Sequence, residues 1–276
     1  MKVAAIQMTS GPEVAANLEQ ARGLLEAAAA QGARLAALPE NFSFMGLKDA
    51  DKRAVAEADG SGPAQDFLAA TARRLRLWIV GGTVPLVAGP DGRVAAASLV
   101  YDSDGGRVAR YDKIHLFDVD LPGRSETYRE SAHVAPGAAA TVLDTPVGRV
   151  GLSVCYDVRF PELYRHLVAA GAQIFTVPSA FTGPTGRAHW ETLLRARAIE
   201  NLCYVVAPAQ SGFHPSGRET YGDSMIVDYW GRVLQRVPRG RGCIVAEVDL
   251  ARQAGVRESF PALVHRAFAL PAGAGS

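Results

Sequence analysis

The chain has 276 residues, 48% of them hydrophobic, with 29 basic against 28 acidic side chains and a net charge of +1. It is long enough for a sizeable core, and without a basic run it offers no nucleic-acid or anionic-membrane surface, so a small neutral or mixed-charge partner fits best. The start, Met1 to Met8, turns polar at once and no 18-residue apolar run follows, so neither an export signal nor a membrane span is expected.

Lys2–Met8 reads as a buried strand, followed by an amphipathic helix from about Pro12 to Ala30 with Leu18, Ala21, Leu25 and Ala28 on one face. Leu35–Leu38 is a short strand that stops at Pro39-Glu40 and delivers a carboxylate at its tip. Ser61-Gly62-Pro63 opens a second helix to about Arg74, and Leu77–Val84 reads as one strand. Val94–Tyr101 and Val108–Lys113 form a hairpin across Asp102-Ser103-Asp104-Gly105-Gly106. Ile114–Ala140, rich in Gly, Pro and polar residues, reads as a working loop. Val150, Leu152 and Val154 then form one face of a strand that runs out at Cys155, and Phe160-Pro161 starts a helix.

The second half repeats the first. Gly32 through Phe42 matches Gly171 through Phe181 without a gap, Trp78–Gly81 matches Tyr204–Ala207, and Ser98–Asp102 matches Ser224–Asp228. Each half is therefore expected to be a β-α-β-α-β-β-β unit with helices on one face of its sheet, leaving the other face apolar. The two sheets bury each other. The expected fold is a four-layer α-β-β-α sandwich with internal pseudo-two-fold duplication: a single domain over 1–276, pseudo-repeats at about 1–113 and 141–250, and a tail at 251–276. Should the first strands of the halves lie side by side at the axis, the tips carrying Glu40 and Cys155 would converge.

Three residue types at strand ends then suggest chemistry. A thiol needs a base, a polarised acyl oxygen needs a donor, and a leaving amine needs a proton; Glu40, Lys113 and Cys155 supply them. Only four of the basic residues are lysine (Lys2, Lys48, Lys52, Lys113), which singles out Lys113. Cys155 sits on a sharp strand-to-helix turn, where the Tyr156 backbone N–H can face an oxyanion. Taken singly, each has a plain structural reading: Cys155 as a small buried hydrophobe, Glu40 and Lys113 as surface residues. Cys155, Cys203 and Cys243 lack Cys-x-x-Cys spacing, and the six histidines show no His-Glu-x-x-His, so no metal, disulfide framework or other cofactor is expected. A reducing cytoplasm suits such a chain.

Leu38-Pro39-Glu40, the run Tyr111-Asp112-Lys113-Ile114-His115-Leu116-Phe117-Asp118, and Val154-Cys155-Tyr156-Asp157-Val158-Arg159-Phe160-Pro161-Glu162 closely resemble the three catalytic motifs of the nitrilase superfamily of carbon–nitrogen hydrolases, in the same order. The resemblance runs to about Pro261. Pro178–Phe181, Ala188–Glu191, Leu194–Glu200 and Asp228–Gly231 look most like the branch that hydrolyses the amide of deaminated glutathione, with the ω-amidases next; Tyr229 departs from the branch by standing before Trp230 in place of Pro. The resemblance implies an α-β-β-α sandwich, Glu40 as general base, Lys113 as oxyanion and leaving-group residue, and Cys155 as nucleophile. It makes Glu130 a second glutamate, although Glu126 lies four residues earlier in the same loop. A homodimer or higher homo-oligomer is expected.

The reaction so implied is attack of Cys155 on a small amide, release of ammonia, and hydrolysis of the thioester by water that Glu40 activates. Acyl transfer to an amine, a silent binding protein on the same fold, and a Cys-His hydrolase using His115 or His133 are the competing readings. The preferred substrate is a carboxylated ω-amide, deaminated glutathione ahead of 2-oxoglutaramate, its carboxylate paired with an arginine. Arg187 and Arg218, expected in loops or at turns close to the strand tips, are the first candidates. Arg159 is as easily a structural partner of Glu162 or Asp157, and Phe181 is a further candidate contact.

Overall fold

The structure, a computed structural model, describes residues 1–121 and 126–268. Residues 122–125 of the expected working loop and 269–276 of the tail lie outside the described residues. The first half contains β1 (Lys2–Gln7), α1 (Val14–Ala30), β2 (Leu35–Ala37), α2 (Pro63–Leu75), β3 (Trp78–Val80), β4 (Val84–Val87), β5 (Val94–Tyr101) and β6 (Arg107–Asp112). Short strands β7 (Asp118–Asp120), β8 (Thr127–Arg129) and β9 (Val134–Ala135) lie in the connection. The second half contains β10 (Val142–Thr145), β11 (Gly148–Leu152), α3 (Pro161–Ala169), β12 (Ile174–Thr176), α4 (Gly183–Asn201), β13 (Tyr204–Ala207), β14 (Ser211–Phe213), β15 (Glu219–Tyr221), β16 (Ser224–Val227), β17 (Val233–Val237), β18 (Gly242–Glu247) and α5 (Leu250–Ser259).

The repeat is visible in the sheets. β1, β2 and β3 run parallel with β5 antiparallel beyond them, and β11, β12, β13 and β16 do the same. Strand alternation decides which side chains go where. On the first sheet Ala4, Ile6, Ala36 and Ile79 pack under α1 and α2, while Val3, Ala5, Leu35, Ala37 and Val80 join the cluster that includes Val150, Leu152 and Ile174 of the second. Gly151 and Phe175 face α3, where a Cβ on Gly151 would meet Leu167 and Phe175 meets the Tyr164 ring edge-on. The layers are therefore helices, sheet, sheet, helices, as expected. The first strands of the halves are not paired: β1 lies between β2 and β18 in its own sheet and crosses β13 and β16 of the other.

Three expectations need correction. Leu77–Val84 is two strands, because the chain turns at Gly81-Gly82 so that Val84–Val87 can pair with the far end of β5. Gly82 has φ 47° and its Cβ would stand 2.0 Å from the Pro39 carbonyl, so only glycine lets that turn pass behind Glu40. The segment after Thr182 is helical, with the Thr182 hydroxyl capping Thr185 and Pro184 in the first turn. The region after 250 is in part a helix, α5, which anchors to the end of α4 through Arg257 and Gln253.

Candidate active site

β2 ends at Ala37 and the strand-like run to Glu40 is held by the Leu38 N–H donating to Val80 O at 2.9 Å. β6 ends at Asp112, and the next residue, Lys113, is fixed through both its backbone groups: its N–H donates to Ala96 O and its carbonyl accepts from Gly137 N–H. A Cβ on Gly137 would lie 2.1 Å from Asp112 O, which explains glycine beside this lysine. Cys155 opens a single 3-10 turn, Cys155–Arg159, with φ 50°, a left-handed conformation that a non-glycine residue holds at a cost of about 1–2 kcal/mol. Its N–H donates to Pro178 O at 2.9 Å, tying the turn to the end of β12.

These three tips converge. Lys113 Nζ donates to Glu40 Oε1 at 2.8 Å and to Glu130 at 2.8 and 3.0 Å, so an ammonium is shared by two carboxylates. Glu130, not Glu126, is the second glutamate at Lys113; its other bond is from the Phe117 N–H at 2.7 Å, whereas Glu126 accepts from the Tyr128 hydroxyl. Glu40, Lys113 and Cys155 are all buried. The Tyr156 N–H, next after the thiol, has no hydrogen-bond partner among the described residues. All five residues line one cavity.

The charges follow from this geometry. Burial alone would push the Glu40 carboxyl up, but the Lys113 ammonium and its hydrogen bond, aided by one from the Cys155 thiol, hold it below the usual range. Burial opposes the charge on Lys113 as well, and the carboxylates of Glu130 and Glu40 overcome it and drive its pKa well upward. Cys155 is pushed strongly up, first by burial and next by the Glu40 charge, against smaller opposing effects of Lys113 and the Ala180 N–H. The resting site is thus a protonated thiol beside an ionised carboxylate: base and nucleophile are already in contact, and the thiol gives up its proton only as the S–C bond forms.

The remaining expected residues divide. Arg159, Arg218 and Phe181 line the cavity; Arg187 does not, because α4 carries it onto an exposed face near Gly183 and Glu219. Arg159 pairs with neither Glu162 nor Asp157. Its guanidinium lies over the rings of Tyr156 and Phe181, at 5.7 and 5.3 Å, and its polar contact is His189 Nδ1 at 3.1 Å. Arg218 donates to Ala180 O at 2.9 Å and lies over Tyr128, which leaves it a smaller part in binding than the sequence suggests. Neither His115 nor His133 lines the cavity, so the Cys-His alternative has no base here.

Sequence reasoning missed Asp157. Its fully buried carboxylate accepts from the Tyr111 hydroxyl at 2.6 Å, the Val154 N–H at 2.7 Å, and the His115 N–H and Nδ1 at 3.1 and 2.7 Å. Lys113 lies between Tyr111 and His115, and Cys155 lies between Val154 and Asp157, so one carboxylate sets the two reactive residues against each other. The sequence signal was its place two residues after the thiol. Asn41, Asp49, Lys52 and Tyr128 were missed too, and of these only Lys52, one of four lysines, stood out.

A convergent thiol, carboxylate and ammonium at the strand tips of an α-β-β-α sandwich is the equipment of a thiol-dependent hydrolase of C–N bonds. The carbon–nitrogen hydrolase family model matches residues 2–258, and the chain belongs to that family, within the nitrilase superfamily, as an amidase. It is 44% identical over 268 residues to the deaminated glutathione amidase of Synechocystis sp., covering 96% of this chain and 97% of that one. The human deaminated glutathione amidase is 40% identical, with 96% of this chain and 81% of that one covered. The crystal structure of the C. elegans NitFhit protein superposes with a TM-score of 0.90 at 40% identity, over 98% of this chain and 66% of that chain. No helix among the described residues is long and apolar enough to cross a membrane.

Proposed function

We propose that the protein hydrolyses the ω-amide of a small carboxylated acyl group, with deaminated glutathione, the substrate in its relatives' names, ahead of 2-oxoglutaramate. The observation that carries this reading is Arg159, a cavity-lining guanidinium beside Cys155 with no acidic partner among the described residues. Burial pulls its pKa down, so it gains from meeting a carboxylate.

The chemistry follows in balanced steps. Glu40 takes the thiol proton as Cys155 Sγ bonds to the amide carbon and the carbonyl electron pair moves to oxygen. Lys113 Nζ and the Tyr156 N–H face that oxyanion. When the C–N bond breaks, the nitrogen takes the proton from Glu40 and leaves. Water then attacks the thioester, giving its proton to Glu40, and the C–S bond breaks as the thiol is reprotonated. Glu130 anchors Lys113 throughout. Glutathione is a tripeptide, so its deaminated form releases an amine; ammonia leaves only from a primary amide. The three cysteines are free thiols, which suits a reducing cytoplasm, and a homodimer or higher homo-oligomer is part of the same reading.

The test compares kcat/KM for the carboxylate substrate and its methyl ester. A half-buried guanidinium left without its partner costs about 1–2 kcal/mol, so the wild type should favour the acid by about tenfold or more, and Arg159→Ala should erase most of that preference. Equal rates for acid and ester in the wild type would remove carboxylate recognition. Faster turnover of a simple nitrile than of any amide would move the protein to a different branch.

A further inference from the structure

Glu40 stands beyond the ladder of its own strand. β2 ends at Ala37, the Leu38 N–H reaches Val80 O, and Pro39 has no N–H to give, so the sheet does not hold the peptide that follows Glu40. Two side chains do. The Asn41 N–H donates to the Thr83 hydroxyl at 2.8 Å, steadying a residue whose φ is 57°, and the Glu40 carbonyl accepts from Gln210 Nε2 at 3.0 Å.

Gln210 comes from the other half of the chain, between β13 and β14, and is fully buried. Its side-chain amide is fully used: Nε2 also donates to the Ser10 hydroxyl at 2.8 Å, and Oε1 accepts from the Ser10 N–H at 3.0 Å. The Ser10 hydroxyl in turn donates to Phe42 O at 2.9 Å, so the pair grips the chain on both sides of Asn41. The backbone of Gln210 leads to the nucleophile. Its N–H donates to Ser179 O at 2.9 Å, and the preceding carbonyl, that of Pro178, accepts the Cys155 N–H at 2.9 Å. Glu40 and Ser179 are equivalent positions of the duplicated sequence, each following the proline of its repeat. One glutamine therefore ties the two repeats together at the points where they present base and thiol.

We propose that Gln210 is the positioning residue that holds the base Glu40 in register with the Cys155 thiol. It does not line the cavity and acts only through Glu40, so the inference rests on the proposed role of Glu40 as base. Lys113 fixes one oxygen of the carboxylate, and Gln210 fixes the backbone from which that carboxylate hangs. Proton transfer falls steeply with misplacement, by as much as about 10²-fold for 1 Å.

The test compares the wild type, Gln210→Met, Glu40→Gln and the double variant. Methionine keeps the length and apolar bulk of glutamine and removes its donors. The readout is the rate at which acrylamide alkylates Cys155 at neutral pH, followed by intact mass and located by peptide mapping, well below the Tm of each protein. Sulfur bonds to the terminal alkene carbon as the thiol proton leaves, and the neighbouring carbon takes up a proton. Gln210→Met should slow this by about tenfold in the wild-type background and by less than about twofold in Glu40→Gln, where the base it serves is gone. Equal slowing in both backgrounds, or a lowered Tm with no slowing in either, overturns the positioning role. A slow Glu40→Gln beside an unimpaired Gln210→Met overturns that role alone. Alkylation of Glu40→Gln as fast as the wild type, or no Cys155 adduct in folded wild type, overturns the base assignment and the positioning role together. Should Gln210→Met not fold, Ser10→Ala takes its place, removing the hydroxyl that Gln210 Nε2 meets; about threefold slowing is expected, again only where Glu40 is present. No slowing, or equal slowing without Glu40, overturns the proposal.

Discussion

Cys155 combines a left-handed backbone, deep burial and contact with a carboxylate, a set that a merely structural thiol does not need. Cys155→Ala should fold normally and lose roughly 10³-fold or more in kcat, and intact mass during turnover of a slow amide should show the acyl adduct on this residue. An adduct mapped to Cys203 or Cys243 would overturn the assignment. Lys113→Arg should be nearly as damaging as Lys113→Ala, because a planar guanidinium cannot take three contacts at 2.8–3.0 Å in a closed pocket built for an ammonium. Retention of more than about a tenth of wild-type kcat, a loss under about 1.4 kcal/mol, would reduce Lys113 to a charge donor. The pH dependence has a definite sign. Glu40 has its folded pKa below the unfolded one, so its contribution to stability is present above pH 4.5 and fades as pH falls through the folded value. Lys113 is raised, so its contribution is present below pH 10.5 and is lost only as pH rises through a still higher folded value. The base limb required of Glu40 should therefore lie below pH 4.5 in kcat/KM, and a limb near 6.5 would instead report a histidine.

Among the elements, the tight turns and the last helix matter most. Asp157 joins the end of β6 to the turn after β11, and Asp157→Asn keeps the shape but leaves an amide N–H₂ facing donors. Its expected signature is a fall in kcat of about tenfold or more with little change in KM, since it acts by placing Lys113 against Cys155. A lowered Tm with kcat and KM unchanged would make it a general stability residue. Gly82→Ala should damage kcat in the same way by pushing Pro39 and Glu40 aside. The C-terminal helix α5 has a different part. Arg257 donates to Leu202 O at 3.1 Å and Ala172 O at 3.2 Å, and Gln253 donates to Leu202 O at 2.8 Å and Gln173 O at 2.9 Å, covering carbonyls at the ends of α3 and α4. Arg257→Ala should cost about 1–3 kcal/mol, lowering Tm by several degrees, with kcat/KM at the working temperature unchanged. Loss of activity without loss of Tm would contradict this structural reading.

At the scale of the whole molecule the two halves are interlocked as well as stacked. β18, from the end of the chain, pairs with β1 from its beginning in unbroken register from Lys2 opposite Glu247 to Gln7 opposite Gly242. Each sheet also leaves one apolar face to be covered by the other. A fragment of residues 1–140 would expose both that face and the edge of β1, and it should form an aggregating, dye-binding state without a cooperative melt. A soluble fragment with a sharp thermal transition would show that the repeats fold independently.

The sequence by itself determined most of the first-half elements, the duplication and the three residues that meet at the strand tips. Alternation, turn residues and strand ends are local properties, and Glu40, Lys113 and Cys155 each follow a strand closely, at positions that a local pattern marks. The layer order followed too, because an apolar sheet face requires a cover. Only the tertiary structure decided which of Glu126 and Glu130 reaches Lys113, that Arg159 and not Arg187 faces the site, and that Asp157 joins two strand tips. Those choices depend on the three-dimensional directions of side chains whose partners lie tens of residues away: a helix begun at Gly183 carries Arg187 outward, while a single turn after Cys155 brings Arg159 between Tyr156 and Phe181.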